Sequence, residues 1–384
     1  MLQLRTLQNK FKELYNTTPV LFRSPGMVNV MGAHTDYNDG FTLSANIDKE
    51  MVFAVAINKT DKGRVYALDL KDSHEFNVDY FEQSDKAWAN YILGMVSEFR
   101  KHGKIIGGFD CVFASDIPIG SGMAASAAIK CGIGFLLNEL FNLELSNLDI
   151  AGYATKVENE YIGVGSGIRD QFNNLFARTS HFMKLDCLTL NHEYIETDFS
   201  NYRFIIFDSQ VKSDRRLQIF ETRRKECQQG LKIIKRYFPE VKSLRDVKPD
   251  TLLKCKDDME PELYWRCKFV VNENIRVLKS VEDLLKNRTE AFGQKLFESQ
   301  MELKRDFQVS CAEIDFLIDE VTKNNNVLGA RMIGAGVGGC TLNMVKDYDR
   351  EEFISGIQKR FKKKFRKNLL VYKIKIVRGS GKLT

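Results

Sequence analysis

Proline is scarce in this 384-residue chain, six in all, and no low-complexity tract or internal repeat accompanies it. Disorder has little support, because 43% of the residues are hydrophobic and 28% charged, the balance of an ordinary folded chain. A CxxC pair is missing as well. The eight cysteines (Cys111, Cys131, Cys187, Cys227, Cys255, Cys267, Cys311 and Cys340) are scattered, which disfavours a zinc site or a disulfide frame and leaves reduced thiols in a cytoplasmic protein as the expectation. No run approaches the roughly 18 to 20 apolar residues of a membrane span. The opening "MLQLRTLQNKFKELYNTTP" mixes helically spaced apolar residues with lysines and a glutamate, unlike a secretory signal. A membrane partner is therefore not expected, and neither is nucleic acid. Much of the excess behind the net charge of +6 lies in "KRFKKKFRK", residues 359–367, with no recognition motif beside it, so that run reads as a solvated helix face.

What is present fits a two-domain protein. The length exceeds the size at which one core stops growing, so two packed domains with a cleft between them are expected, divided at 1–200 and 201–384. Helical spacing covers about 2–15, "WANYILGMVSEFRK" and "LDIAGYATKVENEYIG", while "MVFAVAI", "RVYALDL", "GFDCVFAS" and "YRFIIFDS" read as strands. From about 214 to 325 the chain reads as mostly helical and highly charged, and it ends in further strands. The fold class is α+β, with glycine loops at the element junctions.

Three such loops carry chemistry. "SPGMVNVMGAHTDYNDG", residues 24–40, is a short loop with ionisable groups that sets His34 two residues before Asp36. "PIGSGMAASA", residues 118–127, puts Gly120 and Gly122 directly before a long apolar helix whose first amides could hold a phosphate. It is not a Walker A loop, since Met123 and Ala124 stand where a Lys-Ser/Thr pair is needed. "GARMIGAGVGGCT", residues 329–341, is the third, and the three together suggest one site assembled from both domains. In isolation each residue has a plainer reading: Asp36 as a turn or cap, Asp170 and Glu158 as helix-surface charges, His34 as a core residue.

In this order and spacing the motifs resemble those of the galactokinases, within the GHMP family of small-molecule kinases; "GVGSGIRDQF", "WANYILG" and "ETRRKEC" extend the resemblance over about residues 20–345. It implies a two-domain GHMP kinase fold with its active site in the interdomain cleft, and ATP-dependent phosphorylation of galactose at the anomeric hydroxyl, with ATP and Mg²⁺ required. By resemblance, Asp170 takes or orients the sugar hydroxyl's proton, and His34, Asp36 and the backbone at Gly167 bind the sugar. The loop of Gly120, Ser121, Gly122, Met123, Ala124, Ala125 and Ser126 wraps the phosphates, Trp88 lies near the adenine, and Ser126 and Glu158 hold the metal. A monomer or weak dimer is expected. Phosphoryl transfer asks mainly for positioning and charge neutralisation, which these residue types supply.

The pattern departs from the family at five positions. Met27 stands where galactokinases carry an arginine beside the catalytic carboxylate, and Arg169, usually methionine, is the candidate replacement, although neighbours on a helix point in different directions. Ala33 replaces a glutamate and Phe220 a tyrosine that reach the sugar, and Ala124 and Ala125 replace serines. Alanine at position 33 also resembles plant galacturonate kinases, for which Arg215 and Arg216 would bind an acidic C6, unless they are simply exposed. Three readings follow: a galactose 1-kinase, a kinase of a C6-variant sugar such as galacturonate, and a low-activity sugar and ATP sensor.

Overall fold

The long strand Phe41–Ile57 organises the first sheet. Its β-branched and aromatic run suits a pleated surface covered on both faces, and it pairs antiparallel with Val20–Met31 on one side and Phe109–Ser115 on the other. In this computed structural model, which describes residues 2–196, 199–211, 215–347 and 350–383, the sheet continues through Lys62–Ala67, its one parallel neighbour relation being with Phe109–Ser115, to Asp72–Asn77. The hairpin His181–Asp186 and His192–Glu196 joins the far end of Phe41–Ile57. A second, four-stranded antiparallel sheet runs Leu370–Ile374, Tyr202–Asp208, Cys340–Lys346, Val327–Met332.

Helix Ala125–Phe141 lies against the first sheet, and its glycines set how closely. A Cβ on Gly132 would stand 2.5 Å from the Phe53 ring, and one on Gly134 2.7 Å from Ile150 Cγ2, so larger residues would push the helix off its seat. The second half is built mainly from Arg216–Tyr237, Pro261–Leu285 and Thr289–Arg305. One hydrophobic cluster crosses between the halves, joining Phe53 and Leu136 to Phe292, Leu342 and Met344. Among the described residues no helix is long and apolar enough to cross a membrane. The basic run 359–367 covers the end of helix Arg350–Phe365, where Phe361 is buried and the lysines around it are exposed.

Three features differ from the linear reading. Residues 24–31 belong to a strand rather than a loop, fully buried at every position, so no polar-apolar alternation announces it. The segment expected as one helix over 148–163 leaves α-geometry after Lys156 and becomes a π-helical turn, Val157–Ile162, which carries Glu158. The last strands, Ile376–Val377 and Gly381–Lys382, return to the first sheet and pair with Phe41–Ile57 and Val20–Met31.

Helix Pro261–Leu285 joins the halves through Glu273, which is fully buried. Its Oε1 accepts from the amides of Gly32 and Ala33 at 3.0 and 3.1 Å, from Ser299 Oγ at 3.0 Å and from Arg331 Nη1 at 3.4 Å. Its Oε2 takes Arg276 Nη1. Burial works against this charge, but Arg276, Arg331 and the two amides outweigh it and hold the carboxyl below its usual range. The stability it confers is thus complete above pH about 4.5, the unfolded value, and is lost as pH falls through the lower folded value. Because it removes the carboxylate paired with buried Arg331 and one of those around Arg276, which keeps Glu302, Glu273→Ala is expected to cost about 3–5 kcal/mol in denaturant unfolding. A loss under about 1 kcal/mol would reject the buried hub.

Candidate active site

A cavity of about 720 Å³ opens between the halves, and every site residue named from the sequence except Arg215 lines it. The sugar end is built on the turn that follows strand Val20–Met31. Gly32 (φ 91°) and His34 (φ 60°) are left-handed there, and a Cβ on Gly32 would meet the Phe41 carbonyl at 2.5 Å, so only glycine makes the turn. The turn leads into a short 3₁₀ segment, Asp36–Asn38. His34 Nδ1 lies 3.0 Å from the Tyr37 hydroxyl and its ring packs 4.5 Å from that of Phe307. Burial, together with the nearby charges of Arg169, Arg331 and Arg223, pulls this imidazole down to about 3, so it is neutral at physiological pH. Gly167 sits directly on Asp36: a Cβ there would be 3.0 Å from Asp36 Oδ2. Ala33 and Phe220 form an apolar wall, with Phe220 edge-on to Tyr37 at 5.3 Å.

Opposite stands the N-terminus of helix Arg169–Phe176. Sequence neighbours were expected to diverge, yet Arg169 Nε donates to Asp170 Oδ1 at 2.7 Å and Nη1 lies 3.6 Å from Asp36 Oδ2. The long side chain curls back on itself, so its head group meets a carboxylate that its Cβ does not face. Burial opposes the charge of Arg169, but Asp170 and Asp36 outweigh it and raise its pKa. Burial also raises the Asp36 carboxyl, with Arg169 as the main counterweight. Met27 contributes an apolar side chain to the cavity, while its amide donates to the Met123 carbonyl at 3.1 Å.

The phosphate loop is held from within. Ser121 Oγ donates to the Pro118 carbonyl at 2.7 Å and accepts from the Met123 amide at 3.3 Å, so that hydroxyl serves the loop itself. Ala124, left-handed at φ 57°, starts helix Ala125–Phe141 without a side-chain cap. A left-handed alanine is strained, and it leaves the first-turn amides uncovered for an anion. Gly122 touches the C-terminal glycine loop, where a Cβ would come within 2.9 Å of Gly334 Cα. Trp88 lines the cavity beyond this loop, its Nε1 donating to Asp72 Oδ2 at 3.1 Å.

Ser126 and Glu158 line the same wall as Asp170. A hydroxyl and a carboxylate are hard donors and fit Mg²⁺, which takes few protein ligands and completes its shell with water and phosphate oxygens. No group of three or more His, Cys, Asp or Glu among the described residues could hold a metal without such help. The fully buried Lys130 is ion-paired with Glu158 Oε2. Burial lowers the ammonium from its usual value to about 7, and the nearby Cys131 and Asp170 offset this only in part. Sequence reasoning passed over Lys130, although a lone lysine in the small apolar run "ASAAIKCGIGFLL" was a signal. It also missed Glu273, which nothing local reveals. Arg215 is exposed, whereas Arg216 lines the cavity beside the phosphate loop, with Nη1 donating to the Gly120 carbonyl, and not as a partner for a sugar's C6.

Family profiles match this chain as the galactokinase galactose-binding signature over residues 9–57, the GHMP kinases N-terminal domain over 90–178 and the GHMP kinases C-terminal region over 280–363. A galactokinase of Roseiflexus sp. is 33% identical, the match covering 100% of this chain and 98% of the relative. The chain belongs to the galactokinase family. A galactokinase of Clostridium acetobutylicum is 33% identical over 99% of each. The crystal structure of Lactococcus lactis galactokinase complexed with galactose superposes with a TM-score of 0.95 at 30% identity, covering 99% of this chain and 100% of that one. Methanococcus jannaschii mevalonate kinase, at 18% identity and a TM-score of 0.66, shares the fold.

Arg169, Lys130 and Arg216 gather around a cavity in which position 27 is methionine. If Arg169 holds Asp170 in place, Arg169→Met should cut turnover by about tenfold or more, a barrier change of only about 1.4 kcal/mol; an unchanged rate would remove it from the reaction. His34 should stay unprotonated in a ring-proton NMR titration down to pH about 4. Its pKa is depressed on folding, so its stabilising share is complete above the unfolded value of about 6.5 and erodes as pH falls toward the folded one. Titration near 6.5 would refute its burial.

Proposed function

We propose that this chain transfers the γ-phosphoryl group of ATP to the anomeric hydroxyl of galactose, and that the residues brought together in the cleft divide that work. The observation that carries this reading is the convergence, in one cavity, of the Asp170 carboxylate, the hydroxyl acceptors His34 and Asp36, and an uncapped helix start bearing glycines. In it, Asp170 accepts or orients the proton of the attacking hydroxyl, while Arg169, donating to Asp170 Oδ1, keeps that carboxylate aimed. Neutral His34 and Asp36 take hydroxyl protons of the ring, Gly167 leaves room for it, and Ala33 and Phe220 form the apolar side of the sugar pocket. The backbone of Gly120, Ser121, Gly122, Met123, Ala124, Ala125 and Ser126 wraps the phosphates, and Trp88 flanks the base. Ser126 and Glu158 would hold Mg²⁺, which when bound neutralises charge on the phosphates. No covalent intermediate is needed.

The same reading takes residues 1–200 and 201–384 as the two domains, with the last two short strands lent back to the first sheet. It also takes the chain as a cytoplasmic monomer or weak dimer, in keeping with eight free cysteines. Neither alternative is favoured. The sensor reading rested on a missing cation at Met27, and Arg169 supplies one at Asp170. The uronate reading needed an arginine at the sugar, and Arg216 sits at the phosphate loop instead.

A coupled ADP-release assay over galactose, galacturonate, N-acetylgalactosamine and arabinose tests the reaction. Galactose turnover is expected, falling by at least about 100-fold in Asp170→Asn. Turnover confined to uronates, or calorimetric sugar binding with no ADP produced, would sink it.

A further inference from the structure

Arg216 opens helix Arg216–Tyr237 of the second half and reaches across the cleft to the phosphate loop of the first. Only one corner of its guanidinium is engaged: Nη1 donates to the Gly120 carbonyl. Nε and Nη2 are buried and have no hydrogen-bond partner among the described residues. These two nitrogens share an edge of the planar group, the edge whose parallel N–H bonds match two oxygens of a phosphate or carboxylate. That edge lies between the loops, since a Cβ on Gly339 would stand 2.7 Å from Nη2 and one on Gly120 3.4 Å from Nη1. The side chain also lines the cavity.

A buried cation with an empty donor edge is costly unless an anion completes it. Burial lowers the Arg216 pKa, and the nearby Asp208 with the thiols of Cys340 and Cys311 offsets this only in part. Asp208 Oδ1 accepts from the Gln210 amide, and among the described residues no hydrogen bond joins Asp208 to Nε or Nη2 of Arg216. Among the described residues no carboxylate completes that edge, which leaves a ligand in the cavity as a source of negative charge for it. The sugar end holds neutral hydroxyls, whereas the loop that Arg216 touches is the one with anion-binding amides.

We propose that Arg216 is a phosphate-contacting cation of the nucleotide site, supplied by the C-terminal half through its Nε/Nη2 edge. This rests on the kinase reading above and adds to it a phosphate contact from the second half. It also makes nucleotide binding a bridge between the halves, since one guanidinium then joins helix Arg216–Tyr237, the Gly120 loop and the phosphates.

Nucleotide titrations followed by Trp88 fluorescence test this without requiring turnover. Arg216→Gln keeps a neutral donor for the Gly120 carbonyl but removes the charge. Its ATP affinity is expected to fall by about tenfold or more while adenosine affinity stays within about twofold, and Arg216→Lys should recover part of the loss. In the coupled assay the effect should appear in KM for ATP and not in KM for galactose. An unchanged ratio of ATP to adenosine affinity in Arg216→Gln would overturn the assignment, as would a change confined to the galactose KM. Failure of both variants to fold would show a structural staple and overturn it too. An absence of galactose turnover in the wild type bears on the reaction alone, because the ATP and adenosine contrast is read from binding.

Discussion

One buried carboxylate holds the sugar loop to the rest of the molecule. Glu273 stands on a helix of the second half and accepts the amides of Gly32 and Ala33, residues 241 and 240 positions away in the chain. Two guanidinium groups, Arg276 and Arg331, compensate its charge, and Arg331 in turn donates to the Val30 carbonyl at 3.1 Å. The neighbouring Asn274 accepts the Phe41 amide at 2.8 Å, so the turn is gripped at both ends. A turn with left-handed residues at 32, 34 and 39 would otherwise have many conformations available. Fixing it fixes His34 and Asp36, and through Asp36 it fixes Arg169 and the Asp170 carboxylate beyond.

The site illustrates that a transferring phosphoryl group needs positive charge in a place more than it needs a particular residue there. Position 27 is methionine, whose side chain is apolar and whose backbone ties strand Val20–Met31 to the Gly120 loop. Basic side chains stand elsewhere around the cavity: Arg169 at the adjacent helix start, Lys130 against Glu158, and Arg216 across the cleft at the Gly120 loop. Each is at least partly withdrawn from water, where a charge acts more strongly than it would on an exposed surface.

Much of the molecule could be read in linear form, for reasons that can be named. The central strand segment "MVFAVAI", the strand "GFDCVFAS" and the helix "WANYILGMVSEFRK" have periodicities that local sequence imposes. The glycine loops were visible because left-handed turns and close backbone contacts restrict residue type. Residues 24–31 were misread as loop because a strand buried at every position, and interrupted by Ser, Pro and Gly, has neither alternation nor a clean apolar run. The doubt over Arg169 came from treating direction at Cβ as direction at the guanidinium, which a long flexible side chain does not respect.

By itself, the order of residues determined which chemical groups are available and which local shapes are allowed: the acceptors at 34 and 36, the carboxylate at 170, the glycines before a helix, and the loss of polar groups at 27, 33 and 220. Only the tertiary structure decided which charges meet. Arg216 on the Gly120 loop, Lys130 on Glu158, Glu273 under Gly32 and the return of residues 376–382 to the first sheet all join segments distant in sequence. The physical reason is that secondary structure follows from short-range sterics and hydrogen bonding, whereas ion pairing inside a protein depends on which surfaces exclude water together, and that is a property of the packed whole.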